Sequence, residues 1–191
     1  MKRRKALGLM LLAGGGTAVS LGGYKWWQLN HAPDKAYLDG KLNLLSALAE
    51  TIIPKTDTPG AKEAGVGQYL LDMVKDCTDK KTQNKFIDGL KDLEQYTQDK
   101  YNKSYETCSV DEQILVMKHF QEKGKPFNGI VGKAQNKFLG KSFFTTLKEY
   151  TVKGYCSSQL GATQGLAYLA VPGPYIGCTN LQKGQKTWAT K

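Results

Sequence analysis

Apolar residues recur at intervals of three and four along most of this chain, and convincing alternating runs are absent, so the pattern predicts helices packed on one another. Over residues 39–54, Leu42, Leu45, Leu48, Ala49, Ile52 and Ile53 form one stripe, and Pro54, which lacks the donor for another turn, closes the helix. Residues 55–60 read as a turn, in which Thr58 and Pro59 fit an N-cap and a first helical position. The helix they open would carry Ala64, Tyr69, Leu70, Met73 and Val74 inward. A longer stripe of Phe86, Ile87, Leu90, Leu93, Tyr96 and Tyr101 predicts one amphipathic helix over 80–103, weakened by Gly89.

Ser109 and Glu112 have the spacing of a capping box, opening a helix that carries Ile114, Leu115, Met117 and Phe120 and ends at Gly124 and Pro126. Residues 124–140, rich in Gly and Lys, predict a loop with one short helical turn around 131–138. Phe143, Phe144, Leu147 and Tyr150 mark a further helix that fades at Gly154, and Ser157 or Ser158 would cap a last short one reaching Tyr168. Pro172, Gly173, Pro174 and Gly177 make residues 171–191 an extended surface tail. The expectation is an all-α, single-domain bundle of about six helices with an extended C-terminal tail. In domain terms, 1–23 is a leader or N-terminal anchor, 24–38 a linker and 39–191 the helical domain.

The leader departs from the rest of the chain in its choice of cation. Of 27 basic residues only two are arginines, the adjacent Arg3 and Arg4, and they precede the weakly hydrophobic, Gly- and Ala-rich stretch 6–23. A charged start, an apolar stretch and a polar, Trp-bearing segment form a twin-arginine-type export address, used for proteins that cross a membrane already folded. The flanking residues lack the serine or threonine before the pair and the phenylalanine after it that many such signals carry. Ala18, Val19 and Ser20 are compatible with cleavage after Ser20. The 18 residues of the stretch, followed by Trp26 and Trp27, are equally compatible with retention as an anchor.

Lys2, Arg3, Arg4 and Lys5 account for four of the ten net positive charges, and 1–20 holds no acid, so cleavage after Ser20 leaves +6. The remaining lysines alternate with acids through most of the chain, unlike a nucleic-acid-binding arm, and no nucleic-acid partner is expected.

Four cysteines suit disulfides in an oxidising compartment. Cys77 and Cys108 flank a helix that would be roughly 36 Å long at 1.5 Å per residue, far beyond the reach of a disulfide. Of the three possible pairings two survive, and the helix directions favour one of them. It joins Cys108 to Cys156 across antiparallel helices and leaves Cys77 with Cys178, tying the tail to the body with roughly 2 to 4 kcal/mol of stabilisation. The alternative keeps all four as thiols or sends one to a partner chain.

The body carries few signs of chemistry. No cysteine lies in a CxxC pair, and His31 and His119 cannot make a metal site by themselves. Nucleotide-binding GxGxxG and GxxxxGK[ST] spacings are missing, as is the GxSxG nucleophile elbow around Ser157 and Ser158. Glu50, Asp57, Glu63 and Asp72 read as surface or capping carboxylates, and Tyr155, Tyr168 and Tyr175 as core or interface aromatics. No catalytic, cofactor-binding or metal residue is expected in this chain.

Residues 52–66 (IIPKTDTPGAKEAGV) and 154–178 (GYCSSQLGATQGLAYLAVPGPYIGC), with QNKFIDGLKDL at 83–93, resemble the gluconate 2-dehydrogenase subunit 3 family, the small subunit of membrane-bound sugar and sugar-acid dehydrogenases. Cys156 stands where such proteins often have phenylalanine, and Gln159 where they often have glutamate. The resemblance implies a non-catalytic subunit bound to a flavin-containing dehydrogenase of the glucose-methanol-choline type. FAD would sit in that partner and haem c in a third subunit, a multi-haem cytochrome.

It further implies that the partner lacks its own signal and is carried out with this chain through the twin-arginine translocase, to the periplasmic side of the inner membrane. Thr56, Asp57, Thr58 and Pro59 of the turn, with Tyr155 and with Pro172, Gly173 and Tyr175 near the tail, are the expected partner-facing residues. The competing expectation is a stand-alone periplasmic binding or scaffold module tethered by an uncut leader.

Overall fold

A computed structural model describes residues 30–125, 140–171, 173–174, 177–178 and 180–189. Arg3, Arg4, the helical turn expected at 131–138, Pro172 and Tyr175 lie outside the described residues.

Among them the chain is all-α: α1 (Lys35–Asp39), α2 (Leu42–Ile52), α3 (Val66–Asp76), α4 (Lys80–Tyr101), α5 (Val110–Lys123) and α6 (Phe143–Ser157). A 3-10 turn, Tyr105–Thr107, precedes α5, and a π-helical turn, Gly161–Gly165, follows α6. The termini are set locally. The Asp79, Ser109 and Ser142 side chains accept from the backbone N–H groups of Thr82, Glu112 and Thr145, which the first turn of a helix otherwise leaves without acceptors. At Ser109 the capping box is complete, with the Glu112 carboxylate accepting from the Ser109 N–H at 2.8 Å.

The core is where the stripes meet. Leu45, Leu48 and Ala49 of α2, Leu70 and Val74 of α3, Phe86, Leu90 and Leu93 of α4, Val116 and Phe120 of α5 and Leu147 of α6 form one buried cluster. Phe143 stands between Phe86 and Phe120, with ring centroids 5.2 and 5.9 Å away in tilted and edge-to-face arrangements. A Cβ on Gly89 would overlap the Phe143 ring, so the glycine that weakens the α4 pattern is the notch that lets α6 approach. Buried Gln83 on α4 donates to the Val74 and Lys75 carbonyls at 2.7 and 2.9 Å, satisfying acceptors that the end of α3 leaves open.

Several expectations need correction. Residues 35–38, read as linker, are helical: Asp34 caps α1, and Leu38 is buried in the core. Tyr37 is held against α4 by its hydroxyl bond to Glu94, which also pairs with Lys41 at 2.6 Å, while the Lys41 and Lys91 ammonium groups lie 4.7 and 4.8 Å from the Tyr37 ring centroid. Burial, and then the Glu94 carboxylate, raise the Tyr37 hydroxyl well above the usual phenolic range.

The helix expected to start at Pro59 starts at Val66, because residues 53–65 are held in a loop by other bonds described below. On α5, Val116, Met117 and Phe120 face the core while Ile114 and Leu115 are exposed, so the inward face lies further round the helix than the first two apolar residues suggest. Ser158 does accept from Gly161 N–H at 3.0 Å, yet the turn it caps is π-helical and stops at Gly165, short of Tyr168. The described tail is non-helical and exposed as expected, with a tie to the body: a parallel bridge joins Ala167 to Trp188, with Ala167 N–H donating to Thr187 O and Ala189 N–H to Ala167 O, both at 2.9 Å.

Neither expected cross-link is formed, and all four cysteines are free thiols. The α5 and α6 helices meet where Gly124 approaches Phe144, at the C-terminal end of one and the N-terminal end of the other. Their opposite ends take different neighbours, since Tyr105 beside Cys108 bonds to Thr51 of α2 whereas Gly154 beside Cys156 packs on Tyr69 of α3. The Cys108 thiol, raised above its ordinary range by burial, donates to the Ser104 carbonyl at 3.4 Å. Cys77, Cys156 and Cys178 are exposed.

Candidate partner interface

The loop over residues 53–65 is closely bonded, and its organiser is Glu50, in the last turn of α2. One carboxylate oxygen accepts from Lys55 N–H at 2.9 Å and the other from Lys62 N–H at 2.7 Å, so a single side chain ties the loop's entry to its exit. Gly60 is buried directly against that carboxylate, and a Cβ there would overlap it. Ala61 N–H donates back to Ile53 O at 2.9 Å, and Lys55 pairs with Glu63, whose hydrogen bond raises the lysine above its ordinary pKa.

This bonding presents a short polar ridge. Thr56 N–H donates to Thr58 O at 3.1 Å, the Thr56 hydroxyl donates to Asp57 Oδ1 at 2.9 Å, and Thr56 and Asp57 are exposed. Thr58 and Pro59 are half-buried beneath them.

Tyr155, expected to face a partner, has a different place. It is only 7 % exposed, and from the C-terminal part of α6 its hydroxyl donates to the Pro59 carbonyl at 2.8 Å. Gly165 at the end of the π-turn lies against the same ring, where a Cβ would sit 2.5 Å from the Tyr155 hydroxyl oxygen. Tyr155 is thus a keystone inside the domain: it brings the 53–65 loop, α6 and the π-turn to one point, and the sequences 52–66 and 154–165 form adjoining surface.

From that point the C-terminal segment begins. Lys186 Nζ donates to Gln164 O at 2.7 Å beside the Ala167–Trp188 bridge, so the described stretches on either side, 166–168 and 186–189, lie together. Tyr168, Leu169, Val171, Leu181 and Trp188 are all exposed, Val171 and Leu181 by 81 and 88 %. Gly173 is exposed with open space around it.

The bundle's clefts offer less chemistry. An open cleft of about 540 Å³ lies between α5 and α6, lined in part by Gly124, Phe144 and Val152. Its carboxylate, Glu149, is engaged by Lys141 at 2.5 Å and Lys153 at 2.7 Å, and hydrogen bonds from Lys141 and then Lys153 hold it below the usual carboxylate range. Among the described residues no three His, Cys, Asp or Glu side chains are grouped to hold a metal ion. His119 stacks flat on Tyr96, centroids 4.3 Å apart, in a surface aromatic pair. No described helix is long and apolar enough to cross a membrane.

Sequence reasoning read Glu50 only as a surface or capping carboxylate, without its role in tying the loop, and missed the Gln164–Lys186 contact and Trp188. Glu50 sits among the apolar stripe residues of α2, and what distinguishes it is a pair of backbone donors 5 and 12 residues on, which no local pattern announces.

The profile of the family described as Gluconate 2-dehydrogenase subunit 3 matches residues 39–173. No curated protein matches the chain, and no solved structure does.

Proposed function

Because this chain belongs to the gluconate 2-dehydrogenase subunit 3 family, we propose that it is a non-catalytic small subunit that binds, stabilises and escorts a flavin-containing sugar or sugar-acid dehydrogenase subunit through twin-arginine export. The family match carries the reading, since it runs from the last residue of α1 through the other five helices to Gly173. FAD would belong to the partner, of the glucose-methanol-choline type, and haem c to a cytochrome third subunit. The complex would work on the periplasmic side of the inner membrane.

The physical logic supports an escort. An export route that accepts folded cargo is needed when a cofactor must be inserted before crossing, and the guanidinium pair Arg3 and Arg4 offers a planar, bidentate geometry that lysine does not copy. The bundle supplies a rigid body to carry, and the Thr56–Asp57 ridge, braced by Glu50 and Tyr155, supplies a shaped polar surface whose backbone need not be ordered on binding.

Replacing Arg3 and Arg4 by lysine while following both proteins tests the proposal. We expect periplasmic dehydrogenase activity to disappear, with flavoprotein retained in the cytoplasm. Undiminished export of the flavoprotein would overturn the escort role, and sugar oxidation by the isolated chain would overturn the accessory one.

A further inference from the structure

The 53–65 loop divides its four charged side chains into two kinds. Lys55 and Glu63 pair with each other, whereas Asp57 and Lys62 have no ion pair among the described residues. Both stand exposed, on backbone that Glu50 fixes through the N–H groups of Lys55 and Lys62. Thr56 N–H closes on Thr58 O across Asp57, and Tyr155 holds the Pro59 carbonyl from beneath at 2.8 Å. The Thr56 hydroxyl donates to Asp57 Oδ1 at 2.9 Å, which orients the carboxylate and leaves Oδ2 without a bond among the described residues. One carboxylate and one ammonium are therefore held on a braced loop with no counter-charge of their own.

We propose, resting on the accessory-subunit reading, that this loop reads charge on the dehydrogenase subunit, with Asp57 pairing to an arginine of that subunit and Lys62 to one of its carboxylates. Arginine suits Asp57 because its planar fork engages both oxygens of a carboxylate that is already oriented. The bracing matters as much as the charges. Backbone that is ordered before contact loses little freedom on docking, so more of the pairing energy appears as affinity.

The charges of the loop and its surroundings select a protein over an anionic membrane. Residues 53–65 hold two lysines and two acids, a net charge of zero. The adjoining π-helical turn, Gly161–Gly165, has no charged residue, and Lys153 on α6 is committed to Glu149. Counting Lys186, which lies against that turn, brings the total to a single positive charge. Anionic lipid is held by clusters of roughly 4 to 8 basic residues, and it would repel the exposed, unpaired Asp57. No large apolar side chain of the loop stands exposed to enter a bilayer. A protein surface can answer both signs at once.

The test co-expresses the full chain with the FAD-bearing flavoprotein of its native host and measures their affinity at low and high salt. Asp57→Arg should weaken binding roughly a hundred-fold, because it sets like charges against each other. Asp57→Asn should lose about ten-fold, with a flatter salt dependence than the parent. Lys62→Glu should also lose about ten-fold, and it keeps the backbone N–H that Glu50 holds. Lys118→Glu, exposed on α5, is the control and should match the parent. Zero-length carbodiimide coupling of the parent complex should join Lys62 Nζ to an aspartate or glutamate of the flavoprotein.

Helical content and thermal midpoint of the chain alone should be unchanged in every variant, which separates docking from folding. Parent-like affinity in both Asp57→Arg and Lys62→Glu would overturn the loop contact while leaving the accessory-subunit reading in place. A parent chain that binds no flavoprotein would overturn both. Binding of phosphatidylglycerol vesicles that Lys62→Glu abolishes, with flavoprotein affinity intact, would assign the loop to lipid and overturn the proposal.

Discussion

Individual side chains decide where the loops of this protein can go, and Glu50 has the most to decide. Its two oxygens accept from the Lys55 and Lys62 N–H groups across the 53–65 loop. Glu50→Ala should cost about 2 kcal/mol, since two backbone donors lose a charged acceptor. The check is a denaturant melt combined with amide exchange, in which Lys55 and Lys62 should lose protection while core amides of α4 keep theirs. Tyr155 shows how one residue changes meaning between sequence and structure. As an aromatic in a distinctive segment it suggests a contact surface, yet its hydroxyl is used up on the Pro59 carbonyl inside the domain. Type and neighbourhood were readable from the sequence; the partner, 96 residues away, was not.

Helices are the scale at which the sequence was most legible, for reasons that can be named. The α4 stripe and the α5 capping box depend on contacts three and four residues apart, so the pattern that predicts them is also what stabilises them. Ser109→Ala should destabilise the domain by about 1 kcal/mol, seen as a lower midpoint in thermal unfolding. Where the reading failed, distant contacts outweighed local preference. Thr58 and Pro59 look like a helix start, but the Glu50, Ile53 and Tyr155 bonds hold that stretch in a loop and delay α3 to Val66. Residues 35–38 lack a long stripe, and it takes Leu38 in the core and Tyr37 against α4 to make them an element.

On α6, Glu149 sets an acid response. Its folded-state pKa lies below the ordinary value near 4.5, so its pairing with Lys141 and Lys153 stabilises the fold above that value and is lost as the pH falls through the depressed one. Because the pair is largely solvated, the effect should be small. Glu149→Gln should make unfolding midpoints between neutral and acidic pH differ less than in the parent, which paired melts would detect.

For the whole molecule, the all-α class and the family likeness were legible, the first from periodicity and the second from two long segments, 52–66 and 154–178. The structure adds that these segments adjoin, through Tyr155, Pro59 and Gly165, which no linear reading could show. The cysteines illustrate the opposite limit. An even count and plausible helix directions suggested cross-links, but α5 and α6 are in close contact at the Gly124–Phe144 end and pack on different neighbours at the other, and all four thiols are free.

The fastening of α1 to α4 also has a mechanical side. Traction applied from the N-terminal side meets the described body first at the His31 carbonyl, which accepts from Asn84 of α4 at 3.0 Å, then at Tyr37 and Lys41, where Glu94 receives both, and so passes crosswise into α4, the longest described helix. Such a load is spread over several side-chain bonds between residues 34–41 and α4. Were residues 1–23 hauled as the proposed export role requires, the domain would follow as an intact parcel, with whatever is bound to it still aboard.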